Sequence, residues 1–309
     1  MAIDLNLIKE LREKSGAGLQ NCKTALAESN GNVEDALRIL KKQGSLIAQK
    51  KAGRATSEGG IAVYSKNEDH NRAAAIIELN SETDFVAKND KFLALAQSLA
   101  TAAYDYSGEF DPTNPRNIDN FKSSNIKNSR STISDFITDN LAIIGENIQL
   151  NRAAKLKIPE KSHGIVSTYV HSKIGDNIGK IAVLIQLESN KAIPEHLLPE
   201  IQLLGKNLAM QVAAVPPQSI SIDDLDKDFV NKEYQIFLDE AKGSKKPQKI
   251  IDNIAQGKLR KLYEEVVLLE QYYILDNKIQ IKDLLLSFSQ QNNIDISITN
   301  FIKFTLGEE

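Results

Sequence analysis

Lys23-Thr24 closes a stretch that invites comparison with a phosphate-binding loop, where glycine-rich backbone amides cradle phosphate ahead of a Lys-Ser/Thr pair. Fitting G-x-x-x-x-G-K-[ST] there puts Ala17 and Cys22 where the two glycines should stand, and the flanks read as helix and turn rather than strand. His70, His163, His171 and His196 are scattered and none sits in H-E-x-x-H, so no converging metal ligands emerge and no metal is expected. Cys22 is the one cysteine, which excludes an internal disulfide and a thiolate zinc site and fits a reducing compartment. It lies on the apolar face of a short helix and reads as a buried structural thiol. There is no G-x-S-x-G elbow, and carboxylates are too common for spacing to single out a hydrolytic pair. The pattern does not look like an enzyme, and no cofactor is expected.

One segment stands apart, Asn80-Ser81-Glu82-Thr83-Asp84-Phe85-Val86-Ala87-Lys88-Asn89-Asp90. It joins a strand to a helix, a connection that needs polar capping, which gives Thr83, Asn89 and Asp90 a structural task. On that reading, favoured when the segment is taken alone, Phe85 is a plug in the core. The other reading is a presented Asp84-Phe85 pair, a carboxylate and a rigid apolar wedge offered to a partner.

The elements that would carry these residues follow from periodicity. The first 44 residues read as three short helices: Leu7, Ile8 and Leu11 on the first, Leu19, Cys22 and Leu26 on the second, Val33, Ala36, Leu37 and Leu40 on the third. Gly16 and Gly18 break the first, Asn30-Gly31 end the second, Asn32 caps the third and Gly44 closes it. Such a unit has no room for a catalytic cleft and reads as a docking module. Gln49 to Arg54 is basic and small, a solvated tether or, alternatively, a ribosome or phosphate contact.

Gly60–Tyr64 and Ala73–Asn80 read as strands around a polar turn, Lys66 to Asn71, before a helix opened by Asp90 with Phe92, Leu95, Ala96, Leu99 and Ala103 on one face. A weaker copy follows: strands Gly164–His171 and Gly179–Leu187 around Ser172 to Asn177, then a helix with Ile201, Leu204, Leu208 and Val212. Between the copies, residues 105–132 are rich in Asn, Ser and Asp and read as a long loop or weakly ordered insert. Ile133 to Ile144 restores a helix, and Ile148 to Ile158 reads as an edge strand of the second sheet. Val230, Tyr234, Phe237 and Ala241 step by 4, 3 and 4, the spacing of a helical seam, and Ile250, Ile251, Ile254, Leu259 and Leu262 carry a return helix. A last helix with Ile281, Leu284, Leu285 and Phe288 precedes a strand from Ile296 to Phe304.

The expected fold class is α+β: an N-terminal three-helix unit at 1–48, a basic linker at 49–59, and a duplicated two-subdomain core with antiparallel sheets at 60–145 and at 146–222 with 266–309. An antiparallel helical hairpin is expected at 223–265 and an amphipathic helix near 280–292. The 309 residues suit this, since about 150 residues per domain is usual. Lys+Arg 38 against Asp+Glu 41 leaves a net charge of −3, so bulk charge does not recommend a nucleic-acid partner. No apolar run approaches the ~18–20 residues of a membrane span, and the N-terminus is unlike a secretory or transit peptide, so a cytoplasmic location without a membrane is expected.

Taken together, the motifs resemble the bacterial elongation factor Ts family, the guanine-nucleotide exchange factors of the translation GTPase elongation factor Tu. Leu11-Arg12-Glu13-Lys14-Ser15-Gly16-Ala17-Gly18, Cys22-Lys23 and Ala25-Leu26 are similar to the family's first signature, and Glu82 to Asn89 to its second. Ile144-Gly145-Glu146-Asn147-Ile148, Lys232-Glu233-Tyr234 and Phe301-Ile302-Lys303-Phe304 are further matches. The resemblance implies that the N-terminal helices are a ubiquitin-associated-like domain docking on the GTPase domain through Arg12, Leu19, Gln20 and Lys23. It implies that Thr83, Asp84, Phe85 and Val86 form the loop that intrudes beside the partner's nucleotide and Mg²⁺ site. It also implies that His171 is a contact of the second subdomain, that the helix near 280–292 is a C-terminal contact with the partner, and that the 223–265 hairpin is a coiled-coil module of the kind often used in homodimer formation. The expected partner is elongation factor Tu, GDP-bound and nucleotide-free. A ribosome-associated or nascent-chain-binding protein built on the same small module, without exchange activity, is the alternative.

Overall fold

The computed structural model describes residues 4–66, 71–111, 113–243 and 247–308; His70, Pro112 and most of the polar turn between Lys66 and Asn71 lie outside them. Three helices come first: α1 (Leu5–Ser15), α2 (Leu19–Glu28) and α3 (Val33–Lys51). The Asp4 carboxylate accepts from the Asn6 amide to start α1, and Gly16 ends it in the left-handed region at φ 67°. Asn32 caps α3 by accepting from the Glu34 and Asp35 amides, as its position predicts. Ile8, Leu11, Cys22, Ala25, Leu26 and Ala36 form the small core.

Next in the chain are β1 (Glu58–Ser65), β2 (Ala73–Ser81), α4 (Asp84–Ala87), α5 (Asp90–Asp105), α6 (Asp119–Ser123) and α7 (Ile133–Ile144). Then follow β3 (Ile148–Lys157), β4 (His163–Gly175), β5 (Ile178–Ser189) and α8 (Leu198–Ala214). The chain ends with α9 (Lys227–Lys242), α10 (Gln248–Val266), β6 (Tyr272–Tyr273), β7 (Asp276–Gln280), α11 (Ile281–Asn292) and β8 (Ile296–Thr305).

The larger strands make one six-stranded antiparallel sheet, ordered β3-β2-β1-β5-β4, with β8 also paired to β5. The β1–β5 ladder is short, Ile61 opposite Gly179 and Ala62 opposite Ile178, and the sheet turns there so that its halves face each other. Alternation along each strand then fills three layers. Ala62, Ala75, Ile77, Leu79 and Leu150 pack under α5 with Phe92, Leu95 and Leu99. Their neighbours Ile61, Val63, Ala74, Ile76, Ala154 and Leu156 meet Val166, Ala182, Leu184 and Phe304 between the two halves. Ile165, Val183, Ile185 and Leu187 pack under α8 and α11. Every residue of β2 is buried, as a strand covered on both faces must be.

Four expectations need correction. Gly44 does not close α3, which runs on to Lys51, so the linker at 49–59 is helical at its start and joins β1 at its end, leaving a short tether at 52–57. The cause is tertiary: Gly44 is buried against α7, where an added Cβ would lie 3.0 Å from the Ala142 Cβ, and this close approach offsets the ~1 kcal/mol propensity cost of mid-helix glycine. β3 is an edge strand, but of the first half: it pairs with β2 from Ala73↔Lys157 to Ser81↔Ile148, and Ile148, Leu150 and Ala153 join the α5 core. The insert at 105–132 is anchored rather than weakly ordered, because Ile118 and Phe121 are buried and Phe121 packs edge-on to Tyr106 and Phe110 with centroids 5.2 and 5.3 Å away. The β4–β5 turn is tighter than Ser172 to Asn177, since pairing continues through Lys173↔Gly179 and Gly175↔Ile178.

α9 and α10 lie against each other, with the Lys258 ammonium paired to Glu240 and 5.8 Å from the centre of the Phe237 ring. Among the described residues, no helix is long and apolar enough to cross a membrane.

Candidate functional site

β2 ends at Ser81, and the chain must turn from a fully buried strand into α5. It does so through the single turn α4, capped by Thr83, whose hydroxyl accepts from the Val86 amide at 3.3 Å. Ala87 is buried and Val86 leans on the core beside α5, so these two occupy the inward positions of the turn. Asp84 and Phe85 are left on the outside. Phe85 is 83% exposed, and of the two readings of this segment the plug in the core is the one overturned. Asn89 then caps α5 by accepting from the Lys91 amide at 2.9 Å.

Asp84 forms an ion pair with Lys88 at 3.0 Å, and the hydrogen bond from that ammonium holds the Asp84 carboxyl below the usual range. Both partners are well exposed, so this pair is weak, salt-screened and easily exchanged for another cation. Thr83 is held from outside the segment. Its amide donates to the Glu146 carboxylate at 3.1 Å and its hydroxyl donates to the same group at 2.9 Å. Glu82 accepts from the Asn147 amide at 2.7 Å and pairs with Arg54 at 3.2 Å; the amide first, then Arg54, keeps its carboxyl below the usual range.

The N-terminal candidates are on a different surface. Cys22, Ala25 and Leu26 turn into the small core, which leaves Leu19, Gln20 and Lys23 on the solvent side of α2, with Leu19 58% exposed; Arg12 is exposed near the end of α1. His171 is exposed on β4, its Nδ1 3.1 Å from the Tyr169 hydroxyl and its ring stacked on that tyrosine. Thr83 to Val86 thus form one site, and the helical face and His171 sit on separate elements. Glu146, Glu82 and Arg54 were not singled out from sequence as supports of this site. Glu146 lies 63 residues from its partner Thr83, and its signal was confined to the Ile144 to Ile148 match. Among the described residues, no group of His, Cys, Asp and Glu is arranged to hold a metal ion.

A large exposed aromatic on a braced turn, together with an exposed Leu19 on a small helical unit, is equipment for docking on another protein. Comparison with known proteins makes that class specific. The sequence model of the family described as Elongation factor TS matches residues 82–308. Over 310 residues the chain is 39% identical to elongation factor Ts of Bartonella quintana, covering 100% of this chain and 94% of the relative. It is 39% identical to that of Rickettsia prowazekii, covering 98% and 91%, and 37% identical to that of Rhodospirillum centenum, covering 99% and 93%. The chain belongs to the elongation factor Ts family, the translation elongation factors that exchange guanine nucleotide on elongation factor Tu.

Proposed function

We propose that this chain speeds GDP release from elongation factor Tu by seating Arg12, Leu19, Gln20 and Lys23 on the GTPase domain and inserting the Asp84-Phe85 turn beside its nucleotide and Mg²⁺ site. The observation that carries this reading is Phe85, 83% exposed on a turn whose neighbours are pinned. An exchange factor needs no catalytic chemistry of its own. It must bind the nucleotide-free partner better than the nucleotide-bound one, and by linkage it then weakens nucleotide as strongly as nucleotide weakens it.

Nanomolar GDP is held by roughly 12 kcal/mol, and loosening it ~1000-fold takes about 4 kcal/mol of coupling. Burying one Phe contributes about 1.5–3 kcal/mol, so Phe85 works with other surfaces, His171 and α11 among them. Asp84, freed from its weak pair with Lys88, disturbs the shell of a metal whose octahedral geometry tolerates little distortion.

In the same reading α1 to α3 are a ubiquitin-associated-like domain, and β1-β2-α5 and β4-β5-α8 descend from a duplication. α9 and α10 form an inserted antiparallel hairpin through which two copies pair, and the chain works in the cytoplasm without a direct nucleic-acid contact. The test is stopped-flow release of fluorescent GDP from elongation factor Tu with and without the chain. Stimulation that collapses in the Asp84→Ala Phe85→Ala variant is expected; stimulation at the wild-type rate would overturn the wedge.

A further inference from the structure

The Phe85 turn is too short to hold itself. A four-residue helix has no propagation to offset the cost of nucleation, and isolated helices below ~12–15 residues are marginal in water. Its posture must come from outside, and the polar contacts show from where. α7 stops at Gly145, in the left-handed region at φ 87°, and the reversed chain delivers Glu146 to Thr83. Both of its oxygens are used: Oε2 accepts from the Thr83 amide at 3.1 Å and Oε1 from the Thr83 hydroxyl at 2.9 Å. That hydroxyl in turn accepts from the Val86 amide, so a chain of hydrogen bonds runs from Glu146 past Phe85 to the far side of the turn.

The junction that carries Glu146 is itself tied down. Lys51, at the end of α3, donates to the Gly145 carbonyl, and the Asn147 side chain donates to the Arg54 carbonyl at 2.9 Å. Arg54 pairs with Glu82, the residue before Thr83, closing a loop of contacts among 51–54, 82–83 and 145–147.

We infer that Glu146 is the positioning residue of the exchange loop: it touches no nucleotide, and it acts by fixing Thr83 so that Phe85 is presented outward in one orientation. This rests on the reading of Asp84-Phe85 as the element that opens the partner's site. Pre-organisation of that kind lowers the ordering cost paid as the wedge enters. It is therefore felt in the rate at saturation rather than in docking, which the surfaces on α1, α2 and β4 continue to supply.

The experiment measures GDP release from elongation factor Tu against concentration of the full chain for wild type, Glu146→Ala, Glu146→Gln, Phe85→Ala and Phe85→Ala Glu146→Ala. Loss of two charge-assisted hydrogen bonds sets the scale, so Glu146→Ala is expected to lower the saturating rate about 10-fold with its half-saturating concentration little changed. Glu146→Gln, which keeps an acceptor oxygen, should regain most of that loss. In the Phe85→Ala background Glu146→Ala should cost nothing further, a non-additivity that general loosening of the fold would not produce. If Glu146→Ala fails to fold, Thr83→Val replaces it in the same comparison. A wild-type saturating rate for Glu146→Ala while Phe85→Ala is slow would overturn the inference, as would equal losses in both backgrounds. Wild-type rates for both single variants would instead overturn the underlying reading of the wedge.

Discussion

The Glu78 carboxylate meets the Arg152 guanidinium at 2.5 Å across the β2–β3 ladder, with both side chains almost wholly removed from solvent. The pair also grips the far end of the chain: Arg152 donates to the Thr305 carbonyl at 2.6 Å and stacks 4.3 Å from the Phe304 ring, while Glu78 accepts from the Gly307 amide at 3.1 Å. One buried ion pair thereby stitches the first half of the sheet to the end of β8. Removing one partner leaves an uncompensated buried charge, which costs about 3–5 kcal/mol. Arg152→Ala should lose that much in urea denaturation, and Glu78→Ala Arg152→Met should be less destabilised than Arg152→Ala. A single variant within ~0.5 kcal/mol of wild type would show that the pair contributes nothing.

Phe85→Ala separates function from stability. The side chain is 83% exposed, so its loss should leave the unfolding free energy within ~0.5 kcal/mol of wild type. If Phe85 is buried against the partner, the lost 1.5–3 kcal/mol corresponds to about 10–150-fold slower stimulated GDP release. Thermal melts and stopped-flow release on the same preparation check both halves.

Gly44→Leu should loosen the seat of the N-terminal helices. The glycine lies where α3 meets α7, and a leucine there must displace Ala142 or lift the helix. Ile8, Leu11, Cys22, Ala25, Leu26 and Ala36 form a core cluster that does not include Gly44, so the helices themselves should persist. Faster tryptic cleavage after Lys51 and Arg54, with unchanged helical content by circular dichroism, is the expected result. Cleavage at the wild-type rate would mean that α3 is held elsewhere.

The Glu82 carboxyl gives a pH prediction. Its folded pKa is lowered, first by the Asn147 amide and then by Arg54, so the support it gives the Thr83 turn is fully present above the ordinary glutamate value near ~4.3. That support is lost as pH falls through the lowered folded value. The Asn147 amide resonance should titrate below ~4.3, and Arg54→Ala should move the inflection upward. A midpoint above the ordinary value in the wild-type chain would contradict the geometry.

Much of this was legible from local spacing. Apolar repeats placed α1, α2, α5, α8 and α11, and the capping residues Asn32 and Asn89 marked the starts of α3 and α5, because both signals act within a turn or two of chain. The type and position of Asp84-Phe85 in a polar connection set that segment apart, and the same segment with Leu11 to Leu26 carried the resemblance to the family. Spacing could not say whether Phe85 points in or out, since that depends on Val86 and Ala87 winning the inward positions against the α5 core.

The remaining features were decided by partners far away in sequence. Gly44, a helix breaker by local propensity, sits in mid-helix because Ala142 meets it, and β3 joins β2 because Leu150 and Ala153 face the core of α5. Nothing within a few residues of Glu146 or Arg152 names Thr83 or Glu78 as its partner; folding brings them together. Local chemistry records what a residue can do within a few ångströms of its own backbone. Contacts across 63 or 74 residues exist once the sheet has closed, and those contacts hold the Phe85 turn and the two halves of the core in place.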